Sequence, residues 1–127
     1  MAMANPHLKY QQQAVMTAPP EELTLMLYDG CVKFLSRAEI GLEDNNIEMI
    51  NNNLVKAQNI ISELNSTLNM DYEVSKGLRP IYNYLHSRLL DANIKKDRAI
   101  VEEVKGFIIE LRDTWKEAMK IARRTSR

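Results

Sequence analysis

Two stretches of this chain place apolar residues at alternating steps of three and four, a rhythm that keeps them on one face only if the backbone is an α-helix. From Ile47 the positions run Ile47, Ile50, Leu54, Ala57, Ile61, Leu64 and Leu68. The same rhythm returns at Val101, Val104, Ile108, Leu111, Trp115, Ala118 and Ala122, behind an N-cap candidate at Asp97. Each stretch covers about 22 residues and is therefore about 33 Å long as a helix. Two helices of that length make opposed staves of a bundle.

Two more helices complete it. The first is expected over about 20–43: Pro20 suits a first helical turn, Glu21 and Glu22 suit the positive end of the helix dipole, and Asp44, Asn45 and Asn46 supply the break and the next N-cap. The third is expected over about 74–95, where Val74, Leu78, Ile81, Leu85, Leu89 and Ala92 keep helical spacing. Gly77 and Pro80 interrupt its beginning, so the sequence predicts either a kink near Pro80 or a helix that starts there. The predicted fold is all-α: an antiparallel up-down four-helix bundle over 20–122, with helices at about 20–43, 46–68, 74–95 and 98–122. Residues 1–19 form a polar, Gln-rich N-terminal arm or short cap helix, and 123–127 a basic tail. No stretch alternates with period two, and no Gly-rich phosphate loop or internal repeat is present.

The first helix carries more apolar surface than one core-facing stripe requires. Leu23, Leu27, Gly30, Phe34 and Ala38 share one face, and Leu25, Tyr28, Val32 and Leu35 make a second stripe roughly opposite. That second stripe is expected to be covered by the arm or by a partner. Met49 and Ile60 on the second helix and Ile109 on the fourth lie off their seams in the same way. Six methionines beyond Met1 add soft apolar surface suited to an irregular partner. Leu8, Tyr10, Val15 and Met16 are the arm's apolar points, and a role as a cover over exposed bundle surface is expected of it, with Tyr10 its anchor.

Several chemistries lack their residues. Di-iron bundles need paired Glu-x-x-His motifs, whereas His86 follows Asn83 and His7 lies in the arm, so no metal or cofactor is expected. No nucleophile and base can be assembled from the spacing. Cys31 sits in an apolar helix and reads as a small buried hydrophobe. Lys plus Arg and Asp plus Glu balance at 17 each, which gives no net field to attract nucleic acid or anionic lipid. No apolar run has the length of a membrane span and the N-terminus lacks the pattern of a signal peptide, so a cytoplasmic chain without membrane insertion is expected. A generic helical adaptor, or a phosphotransfer module exposing His86 in YLHSRLL, is the competing function class.

The arm's Asn5-Pro6 and Tyr10, then TAPPEELTLMLYDG over 17–30, KAQNIISELNSTL over 56–68, the YNY of Tyr82 and Tyr84, ANIKKD over 92–97 and ELRDTWKEA over 110–118 resemble, in order, the bacterial flagellar export chaperones of the FliS family. The resemblance extends over nearly the whole chain. It implies an all-α antiparallel bundle that holds the disordered C-terminal segment of flagellin in the cytosol, prevents premature polymerisation and assists delivery to the flagellar type III export apparatus. It implies no catalytic activity and no cofactor, and leaves room for contacts with export-gate components. Together with the unpaired apolar positions it marks Tyr10, Leu25, Tyr28, Val32, Leu35, Met49, Ile60 and Ile109 as candidates for flagellin binding. The chain departs from the family's habit at His7, where Tyr is frequent, at Pro19, where Ser or Thr often precedes the helix, and at Pro80.

Overall fold

In the computed structural model, which describes residues 20–125, four α-helices follow one another: α1 Pro20–Glu43, α2 Ile47–Ser66, α3 Glu73–Lys95 and α4 Arg98–Thr125. The described residues contain no strand. The breaks between helices are made by residues that tolerate unusual backbone. Asn45 takes up left-handed backbone (φ 53°), and the Asn46 side chain caps α2 by accepting from the Met49 N–H at 3.0 Å. At the far end of α3 Lys96 is left-handed (φ 53°), and Asp97 Oδ1 accepts from the Ala99 N–H at 2.9 Å to start α4. The longer connection over 67–72 has no left-handed residue.

α1 packs on α2 and α4, and α3 packs on the same two helices, so α1 and α3 face each other across the diagonal of an up-down ring. The core is a column of fully enclosed side chains: Leu35, Leu54, Ile61, Leu85, Leu89, Val101, Val104 and Ile108, closed at one end by Tyr28 and Tyr82. Pro80 lies inside α3, which begins well before it and runs through it. The backbone tolerates this because Pro80 and Lys76, whose carbonyl loses its partner, are both exposed and water can serve that carbonyl.

Three expectations change here. Ile47 heads the core rhythm in sequence but is 60% exposed, because α2 has only just emerged from its cap at that point. Ala118 and Ala122 are also exposed: beyond Trp115, which is itself half-buried, α4 has no buried residue. The third concerns α1, whose apolar stripes are two flanks of one broad sector. The fully buried line runs through Tyr28, Cys31, Leu35 and Ala38, between them. A helix with two neighbours needs such a sector, and the second stripe has no need of an outside cover. The predicted arm over 1–19, with Tyr10, lies outside the described residues.

Candidate functional site

The flank of α2 turned toward α3 carries Ile47, Asn51, Val55, Gln58, Ser62 and Asn65, and the facing flank of α3 carries Asn83, His86, Leu90, Asn93 and Ile94. None of these is charged, in a chain where 27% of residues are. Several charged residues of both helices point elsewhere: Lys56 toward α1, Arg88 toward Glu103 of α4 at 3.0 Å, Asp91 back toward Arg88 at 3.7 Å. Cations reach the strip at its two ends, Arg79 at the Asn65 carbonyl and Lys96 at Asn93 Oδ1. The seam is held by amides. Asn65 Nδ2 donates to Asn83 Oδ1 and Asn93 Nδ2 to Asn51 Oδ1, both at 2.8 Å. Between and beside these clasps stand Ile47, Val55, Leu90 and Ile94, exposed by 60, 40, 46 and 79%. From Ile47 to Asn65 the strip is about 27 Å long. His86 is half-buried on it.

At its Asn65 end the strip meets Arg79, whose guanidinium donates to the Asn65 carbonyl at 3.2 Å. Arg79 Nε and Asn65 Oδ1, a donor and an acceptor, are both buried there without a hydrogen-bond partner. Beyond them opens a recess of about 380 Å³ at the end of the bundle, walled by Leu64, Leu68, Leu78 and Trp115 and floored by Tyr28 and Tyr82. Tyr72 and Val74 stand exposed by 63 and 65% on its lining. The Trp115 indole N–H donates to the Glu21 carbonyl at 2.8 Å and so ties the start of α1 to α4.

The residues singled out in the sequence fall into three groups. Tyr28 and Leu35 are core: Leu35 is wholly enclosed, and Tyr28 reaches the outside only as a wall of the recess. Leu25, Val32 and Ile109 are half-buried. Ile109 lies on the face of α4 shared by Lys105 and Arg112, which reach Glu39 and Asp29 of α1 at 2.7 and 3.4 Å. Met49 and Ile60, also half-buried, serve the α1–α2 contact: a Cβ on Gly41 would stand 3.2 Å from Met49 Cγ, and one on Gly30 would stand 3.3 Å from Ile60 Cδ1. Sequence periodicity missed the exposed strip because it looks for apolar residues, and the signal here is an absence of charge along one flank of each of two helices.

Among the described residues no group of three His, Cys, Asp or Glu could hold a metal ion, and burial pushes the Cys31 thiol up to about 12. Among the described residues no helix is long and apolar enough to cross a membrane. What the geometry defines is a helical scaffold with a long uncharged strip between α2 and α3 and an apolar recess at one end. The sequence matches the family described as flagellar protein FliS over residues 3–122. It is 48% identical to the flagellar secretion chaperone FliS of Bacillus subtilis (strain 168) over 124 residues, which is 98% of this chain and 93% of that one. It is 37% identical to the flagellar secretion chaperone FliS of Escherichia coli (strain K12) over 111 residues, 85% of this chain and 82% of that one. The chain belongs to the FliS family of flagellar secretion chaperones, a family of chaperones and not of enzymes.

Proposed function

We propose that the α2–α3 strip and the adjoining recess receive the disordered C-terminal segment of flagellin in the cytoplasm. Held there, the segment is kept from polymerising, and the complex is handed to the flagellar type III export apparatus, including its gate components. The observation that carries this reading is the continuous uncharged strip with Ile47, Val55, Leu90 and Ile94 exposed on it. A disordered client loses chain entropy when it docks, so its seat must offer apolar contact over many residues instead of one deep pocket. An amphipathic segment laid along two helices supplies that contact without presenting a sheet edge.

Burying one Leu or Ile side chain is worth about 1.5 to 3 kcal/mol, and about 1.4 kcal/mol is tenfold in affinity. The exposed residues of the strip are therefore enough to offset a substantial ordering cost. A client long enough to leave the strip would meet the half-exposed Leu25, Val32, Met49, Ile60 and Ile109 on the neighbouring seams, and Tyr28 through the recess.

Titration calorimetry with flagellin, and with flagellin lacking its C-terminal segment, tests the reading. Binding of the intact protein is expected with a negative heat-capacity change and an opposing entropy, and no binding of the truncated one. Leu90→Ser with Ile94→Ser is expected to weaken binding at least about tenfold while leaving the melting temperature within a few degrees. Equal binding of intact and truncated flagellin would overturn it.

A further inference from the structure

The balanced net charge of the chain conceals one local imbalance. On the α1–α2 seam Lys33 and Lys56 each stand 5.4 Å from the centre of the Phe34 ring, and Arg37 stands 6.0 Å from it. Three cations thus gather on one half-buried aromatic ring, all three exposed. Attraction by the ring face holds each of them in place, but it does nothing to neutralise their mutual repulsion. Elsewhere the cations of the seams are paired: Lys105 with Glu39 at 2.7 Å, Arg88 with Glu103 at 3.0 Å, Arg112 with Asp29 at 3.4 Å. Lys33, Arg37 and Lys56 form no ion pair with any described residue. Glu48 lines the recess of about 370 Å³ beside Arg37 and Lys56 without bonding to either. Residues 1–19 and 126–127 contain no Asp or Glu side chain to supply the missing charge.

We propose that this cationic collar around Phe34 docks an acidic segment of a partner protein. The occupant is identified by what the collar lacks and what surrounds it. Carboxylates spaced along a peptide would answer the three cations. The exposed Asn52 amide and the Met49 side chain, on the wall of the same recess, offer hydrogen bonds and apolar contact to the peptide between them. Three cations on a neutral chain are too few for a nucleic acid or an anionic bilayer, each of which is held by an extended field. The collar lies on the flank of α2 turned to α1, whereas the uncharged strip lies on the flank turned to α3. A partner here therefore leaves the strip free and meets the path of a long client only at Met49.

The test uses the full chain and a short fluorescein-labelled peptide of alternating Glu and Leu. Anisotropy is expected to show saturable binding at low salt that weakens as salt rises. Amide shifts in NMR should centre on 33–37 and 49–56. Lys33→Gln, Arg37→Gln and Lys56→Gln together should reduce affinity at least about tenfold without changing the helical circular dichroism spectrum. A control with Lys116→Gln, Lys120→Gln and Arg124→Gln removes as much charge from exposed positions on α4 and should bind as the parent does. Absence of saturable binding, or an equal loss in the control, would overturn the proposal. So would a thymidine oligonucleotide or anionic lipid vesicles that bind the collar more tightly than the peptide.

Discussion

The hydroxyls of Tyr28 and Tyr82 meet 2.5 Å apart across the diagonal of the bundle, from α1 to α3, at the floor of the end recess. They satisfy each other where both rings are almost fully buried, 2% exposed. This bond links two helices whose backbones do not approach each other closely. Removing one hydroxyl leaves the other unsatisfied in the core, whereas removing both leaves an apolar contact of nearly the same shape. Tyr28→Phe and Tyr82→Phe should each cost about 1 to 3 kcal/mol in urea denaturation, and the double variant should cost less than the sum. Additive losses would show that the two hydroxyls act independently.

The same pair sets an alkaline limit. Burial raises the Tyr28 hydroxyl above the ordinary 10.0, with the Tyr82 bond easing part of the rise; burial raises Tyr82 as well, and there the bond adds to it. In the unfolded chain both ionise near 10, so above that pH the unfolded state loses protons that the folded state keeps. The stability that the neutral pair contributes is intact below about pH 10 and falls as pH rises beyond it. Cys31, pushed from 9.0 to about 12, begins the same loss nearer pH 9. Denaturation midpoints measured across alkaline pH should decline from that region.

Two glycines in helices should respond in opposite ways to alanine. A Cβ on Gly106 meets nothing within 4 Å, so Gly106→Ala should stabilise α4 by about 0.5 to 1 kcal/mol through the unfolded state. A Cβ on Gly41 would stand 3.1 Å from the backbone N and from Cγ1 of Ile50, just after the α1–α2 turn. The Ile50 backbone belongs to α2 and cannot give way as a side-chain end does, so Gly41→Ala should destabilise by about 1 to 3 kcal/mol. Thermal melts of the two variants against the parent decide both.

Core and strip should separate cleanly under truncation. Leu54 is fully enclosed, and Leu54→Ala should cost about 2 to 5 kcal/mol by leaving a cavity. Ile94, four-fifths exposed, should lose almost nothing on replacement by Ala and yet weaken capture of the flagellin segment. A stability cost at Ile94 like that at Leu54 would mean that the strip is core in solution.

Much of the scaffold was legible in the chain because it rests on local rules. The three-four rhythm through Leu54, Ile61, Val101 and Ile108 names the buried line of α2 and α4, and Asn46 and Asp97 cap the helices they precede. Those signals depend on neighbours in sequence. The role of α1 was not legible in the same way, since a wheel shows how many apolar positions a helix has but not how many helices surround it. With two neighbours, Tyr28 and Leu35 became core and the supposed outer stripe closed on α4.

The sequence by itself determined that this chain is helical, where most of its turns fall, and to which family it belongs, since each of these is written in residue order. Only the tertiary structure decided which apolar residues stay outside. Ile47, Val55, Leu90 and Ile94 come from two helices that run in opposite directions, and their common exposure exists only once α2 and α3 lie side by side. The collar on Phe34 is of the same kind: Lys33, Arg37 and Lys56 are lost in a neutral total until packing brings Lys56 across to α1. Surface properties arise from the juxtaposition of segments, and juxtaposition is the one thing that periodicity along a single segment does not encode.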